Sequence, residues 1–196
     1  RSVANITALD FQNIMQDLKV CKNFAVAVSG GPDSLALALL SEQYAKENGL
    51  TFTAISVDHL LRPDSKREIE WVGKLMRRKK INFACLKLKG KNPTSNIMAY
   101  AREHRYDLLT QYCKRSKIHY LLTAHHLDDE IENFLMRLIR GSGIKGLSSS
   151  RSSFKHRKSG VNIVRPLLSF SNIYLYFFGN WQQFLPSSLN FLEMVL

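Results

Sequence analysis

Short apolar runs alternate with longer amphipathic stretches along most of the chain. "NFAVAVS" (23–29) is β-rich and stops at glycines, the pattern of a buried strand. "SLALALLSEQYAKENG" (34–49) has helical spacing at Leu35, Ala38 and Leu39 and closes on Gly49, a helix stop. The same alternation continues. It predicts a strand at 51–59, a helix at 65–80 and a strand at 81–89. A long helix follows at 96–117, then a strand at 119–126 and a helix at 127–141. The helix at 65–80 sets Ile69, Val72, Leu75 and Met76 on one side and ends in basic residues. Four strand–helix alternations predict an α/β fold, a parallel twisted sheet with helices on both faces. Ligands of such sheets lie at the carboxyl ends of the strands. Those ends are Ser29–Gly31, Asp58–His59 and His125–His126, more polar than connectors require.

Two regions break the pattern. "GSGIKGLSSSRSSFKHRKSG" (141–160) is Gly/Ser-rich and basic, and reads as a mobile loop over the sheet edge. After Arg165 only Glu193 is charged, and the ending is aromatic. A catalytic domain over 20–170 and a divergent tail over 171–196, truncated or frame-shifted, are the expected division. The chain opens on Arg1 and not Met, so native residues are expected ahead of it.

The 196 residues suffice for one ordinary domain with a core. Lysine plus arginine number 28 against 16 acids, a net charge of +12. An excess of this size favours a polyanionic partner, most simply nucleic acid, since neutralised phosphates release counterions. No basic amphipathic helix or long apolar run points to a membrane. Cys21, Cys85 and Cys113 are scattered without a CxxC pair, which argues against a disulfide framework or a metal–sulfur site. A reducing, cytoplasmic setting is expected.

The candidate chemistry begins at "SGGPDS" (29–34), between a strand and a helix. Gly30 and Gly31 let a ligand approach the backbone, and the helix start favours an anion. Ser29 and Ser34 add hydroxyls. Asp33 repels phosphate unless a cation such as Mg²⁺ lies between them. The GxxxxGK[ST] pattern is absent, so this is a different phosphate cradle. A Gly-Pro turn with a serine cap is the plainer alternative.

"TAHHLDDEIEN" (123–133) brings His125, His126, Asp128 and Asp129 to the mouth of the sheet. They could place a cation, a general base, or both. One aspartate alone would be an ordinary helix cap. Zinc fits less well, because HExxH spacing is missing. In "NIMAYAREHRYDLL" (96–109), Arg105 falls on the apolar stripe, where it must meet a buried anion. An internal salt bridge and a functional anion explain it equally. "VDHLLRPDSKRE" (57–68) reads alone as a loop with a solvated charge run.

"SGGPDS" after an apolar strand resembles the signature of the PP-loop, or N-type, ATP pyrophosphatases. With "VDHLLRPDS", "MAYAREHRYDLL", "LLTAHHLDDEIEN", "RLIRGSGIKGL" and "RPLL" in this order, residues 20 to 170 resemble the tRNA(Ile)-lysidine synthase family. The resemblance implies that ATP adenylates C2 of the wobble cytidine of tRNA(Ile), and that the ε-amine of free L-lysine then displaces AMP. It implies that Ser29, Gly30, Gly31, Pro32, Asp33 and Ser34 hold pyrophosphate. It further implies Mg²⁺ on Asp33, Asp128 and Asp129, and His125, Arg105 and Asp129 at the reacting groups. The basic surface and the 141–160 loop would meet the tRNA, and the resemblance leaves open whether the chain forms a homodimer, as the family often does. Glu130 and Asn133 depart from the family's usual glutamine and threonine, and the ending lacks its "DPSN"-like stretch and basic region. Another PP-loop tRNA-modifying enzyme, or a non-catalytic remnant that binds ATP or RNA, stand as alternatives.

Overall fold

In a computed structural model, residues 6–58, 65–87, 97–125, 151–168 and 170 are described. The elements run α1 (Ala8–Asp17), β1 (Phe24–Ala27), α2 (Pro32–Glu47), β2 (Phe52–Asp58) and α3 (Ser65–Arg78). They continue as β3 (Asn82–Lys87), α4 (Ile97–Arg115), β4 (Tyr120–Leu122), β5 (Ser153–Lys155) and β6 (Asn162–Val164). The strands form one sheet in the order β3-β2-β1-β4-β6-β5. All neighbours pair in parallel except β5, which runs antiparallel along β6 at the edge.

Alternation along each strand divides the core between the two faces. In β1, Phe24 and Val26 join a cluster with α1, α2 and α3 that includes Phe11, Met15, Leu37 and Met76. Ala25 faces the other way and packs with Leu109 and Cys113 of α4. A strand buried on both faces reads as one apolar run, which is why "FAVA" shows little polar alternation. Helix α2 is buried around much of its circumference, Ser34 and Ser41 included. It starts at Pro32, two residues before the position predicted, because proline suits the first helical turn, where its missing N–H goes unused.

Four helices end in the same way. The amides of Val20, Leu50, Ile81 and Ile118 reach back to the carbonyls of Met15, Ala45, Met76 and Cys113 at 3.0, 2.8, 2.9 and 2.8 Å. The residue before each is left-handed: Lys19 (φ 56°), Gly49 (63°), Lys80 (57°) and Lys117 (56°). This closure turns each chain directly into β1, β2, β3 or β4. Glycine takes that backbone freely, whereas a lysine there costs about 1–2 kcal/mol.

The structure corrects the sequence-based expectation over 151–160, and 141–150 lie outside the described residues. Residues 153–155 of that stretch form β5, which returns into β6 through a tight turn. The His156 amide donates to the Val161 carbonyl at 2.8 Å, and Gly160 (φ 76°) donates to His156 at 2.9 Å. Three residues are too few to show a strand's alternation, and the Ser/Lys/Arg content hid them. Helix α1 was also not anticipated, although "TALD" (7–10) is a capping box in which Thr7 and Asp10 bind each other's amides. The helix expected at 127–141 and the 171–196 tail lie outside the described residues.

Candidate nucleotide-binding site

Strand order leaves one place where neighbouring crossovers diverge. β1 pairs with β2 on one side and β4 on the other, so the carboxyl ends of β1 and β4 flank the topological switch point. The Ser29–Ser34 loop leaves β1 there. It is pinned by Ser34, whose side-chain oxygen accepts the Ser29 amide at 3.1 Å and the Ser29 hydroxyl at 3.2 Å. The Ser34 hydroxyl donates in turn to the Gly31 carbonyl at 2.9 Å. Ser34 is buried, while the Ser29 side chain remains exposed.

Gly30 is left-handed at φ 97°. A Cβ there would meet Val72 Cγ2 at an ordinary 3.6 Å, so the backbone angle is what calls for glycine. Gly31 caps α2 without any side-chain hydrogen bond. A helix start with no side chain across it is a preformed seat for an anion. Asp33, in the first turn of α2, is half-buried. A phosphate chain could seat at this open helix start, with the Asp33 carboxylate as the group there that could meet a cation. Among the described residues, no group of three or more His, Cys, Asp or Glu could by itself hold a metal ion.

Across the switch point, β4 ends in Thr123, Ala124 and His125. The Thr123 amide donates to the Val164 carbonyl of β6 at 2.9 Å, which extends the sheet's order past the strand. Buried Thr123 places its hydroxyl 3.1 Å from His125 Nδ1. Tyr106 of α4 lies alongside the His125 ring, centroids 6.3 Å apart and planes 18° apart. The imidazole is thus held between β4 and α4.

Arg105 precedes Tyr106 on α4 and is half-buried. Its Nε is a buried atom with no hydrogen-bond partner among the described residues. Of the two explanations left open by sequence, a salt bridge through Nε is therefore absent among those residues. Asp58, expected at a polar strand end although the 57–68 stretch alone reads as a solvated run, is buried at 6% exposure at the carboxyl end of β2. Burial, with Asp58 nearby, pushes the Cys85 thiol up from its usual value. His126, Asp128 and Asp129 lie outside the described residues.

The strand order and the loop together define a largely parallel α/β domain with a glycine-bearing turn between its first strand and the helix that follows. The chain belongs to the PP-loop domain family, whose profile matches residues 4–184. ATP binding follows from that membership. The tRNA(Ile)-lysidine synthase of Wolbachia pipientis wMel is 44% identical over 165 residues, covering 82% of this chain and 38% of that protein. The tRNA(Ile)-lysidine synthase of Rickettsia bellii (strain OSU 85-389) is 45% identical over 145 residues, covering 74% of this chain and 33% of that protein. The chain thus spans 38% and 33% of the length of these two curated relatives. Among solved structures, the U34-tRNA thiolase NcsA from Methanococcus maripaludis, with its 4Fe-4S cluster, shares the fold. The TM-score is 0.73 at 23% identity, over 95% of this chain and 70% of that one.

Proposed function

We propose that the chain carries the catalytic domain of an ATP-dependent ligase that joins lysine to C2 of the wobble cytidine of tRNA(Ile). The observation that carries this reading is the Ser34-pinned loop at the β1–β4 switch point, in a chain 44–45% identical to lysidine synthases. In the first step the C2 oxygen of the cytidine attacks the α-phosphorus of ATP, and the bond to the β-phosphate breaks. Pyrophosphate leaves into the cradle formed by Ser29, Gly30, Gly31, Pro32, Asp33 and Ser34. In the second step the lysine ε-amine attacks C2, the C2–O bond breaks, and AMP departs.

The chain's own groups serve these steps through position and charge. The α2 N-terminus and the Ser29 hydroxyl bind the departing phosphates. Arg105 offers its guanidinium to the charge that builds on the α-phosphate. His125, held at Nδ1 by Thr123, orients the base or carries the proton released by the attacking amine. Asp33, joined by Asp128 and Asp129, would hold Mg²⁺, which when bound offsets charge on the pyrophosphate.

A rival thiolase reading would need clustered cysteines. Cys21 and Cys85 are exposed free thiols on separate segments, and Cys113 of α4 is buried against the sheet. Incubation with ATP, radiolabelled lysine and a CAU-anticodon tRNA(Ile) transcript tests the proposal. Label in the RNA with stoichiometric AMP supports it; pyrophosphate release without label in the RNA overturns it.

A further inference from the structure

The end of the sheet opposite the nucleotide loop is basic. Strands β1, β2, β3 and β4 are parallel and in register, so the residues just ahead of Phe24, Phe52, Asn82 and Tyr120 share one rim. The turn between β5 and β6 falls on the same rim, because Lys155 pairs with Asn162 and Asn162 with Tyr120. The carboxyl end of every described helix lands there too. Lys19, Lys80 and Lys117 hold the left-handed position at three of these ends, and all three are exposed. Arg78, Arg115 and Arg157 extend the exposed positive charge. The exposed acids at this end, among the described residues, are Asp17 and Glu47. Six strands spaced about 4.8 Å apart make the rim roughly 24 Å long.

Cations suit helix carboxyl ends through the helix dipole. That demand is already met at α3 and α4, whose last turns carry Arg77 and Arg78, and Lys114 and Arg115. Lys80 and Lys117 therefore add charge at positions whose backbone favours glycine. Gly49 at the equivalent end of α2 shows the unstrained alternative in the same molecule.

We infer that this amino-end rim is a second docking surface for an RNA phosphate backbone, remote from the phosphate cradle. It would grip a part of the tRNA away from the reacting base. The choice of RNA as the polyanion rests on the tRNA-modifying reading above; the charge and its placement do not.

The test is the triple variant Lys19→Gly, Lys80→Gly and Lys117→Gly, which removes three charges while easing the backbone. Lys→Asn at the same three positions is the control for loss of side chain. Binding of the CAU-anticodon tRNA transcript is measured over a range of salt concentrations. The slope of log affinity against log salt should fall by about 2–3, and affinity at low salt by at least about tenfold. ATP binding and melting temperature should hold or rise. An unchanged slope overturns the inference. So does a loss of binding to phosphatidylserine vesicles with tRNA binding intact, which would make the rim a membrane contact. The ligase reading fails separately: no lysine incorporation with a reduced slope removes that reading and leaves the rim, and incorporation with an unchanged slope does the reverse.

Discussion

The side-chain oxygen of Ser34 lies 3.1 Å from the amide of Ser29 and 3.2 Å from its hydroxyl, so one buried serine ties the two ends of the phosphate loop together. Ser34→Ala removes these bonds and the one to the Gly31 carbonyl, and leaves the Ser29 amide without that acceptor. Expected effects are a loss of about 1–3 kcal/mol in stability and at least about tenfold in ATP affinity. Thermal melting and ATP titration measure the two. Ser29→Ala, which keeps the amide bond, should cost less stability.

Asp33 stands at the start of α2, where a carboxylate suits the helix dipole but not a bound phosphate. Asp33→Ala should abolish AMP formation while the circular dichroism spectrum stays unchanged. Normal turnover in this variant would remove Asp33 from the site.

Thr123 contacts His125 Nδ1 through a hydroxyl that valine lacks. Thr123→Val keeps the volume and should lower kcat about tenfold, with the KM for ATP little changed. Thr123→Ser should restore most of the rate. Equal losses in the Val and Ser variants would point to packing as the cause.

The three thiols differ in reactivity. Burial pushes the Cys113 thiol up to about 12, so it stays protonated and shielded at pH 8. Cys21 and Cys85 are exposed. Alkylation at pH 8 should modify Cys21 and Cys85 in the native protein and Cys113 only after unfolding, which mass spectrometry of peptides resolves. Cys21 should react ahead of Cys85, whose thiol is pushed up by burial and by Asp58.

Hydrogen bonds from the Thr7 hydroxyl and amide hold the Asp10 carboxyl below its ordinary value of 3.8. A depressed carboxylate adds stability above its unfolded value and loses it as pH falls through the folded one. The capping box should therefore support α1 at neutral pH and weaken below about pH 4. Comparing acid titrations of the native chain and Asp10→Asn by circular dichroism should show the variant's α1 less dependent on pH in that window.

Much of the α/β alternation was legible because buried parallel strands are short apolar runs and their helices are longer and periodic. The turn at Ser29–Ser34 was legible because a glycine pair and a proline separate an apolar strand from a periodic helix. Arg105 could be singled out because a cation on an apolar stripe is costly and conspicuous. Asp58 could be placed at a polar strand end, but its burial was not legible, because that comes from the neighbouring strands. The β5–β6 hairpin escaped because three-residue strands carry no readable period.

The sequence by itself determined most of the segments that become strands and helices, and where a glycine-bearing turn joins β1 to α2. Those properties depend on local backbone preference and on periods of two and 3.6 residues. Only the tertiary structure decided that β1 pairs with both β2 and β4, which sets His125 across from the Ser29–Ser34 loop at one end of the sheet. It also decided that lysines 61 residues apart, Lys19 and Lys80, share a rim with Lys117 at the other end. Strand register, set by burial of both sheet faces, brings such distant positions together, and no local pattern in the chain encodes it.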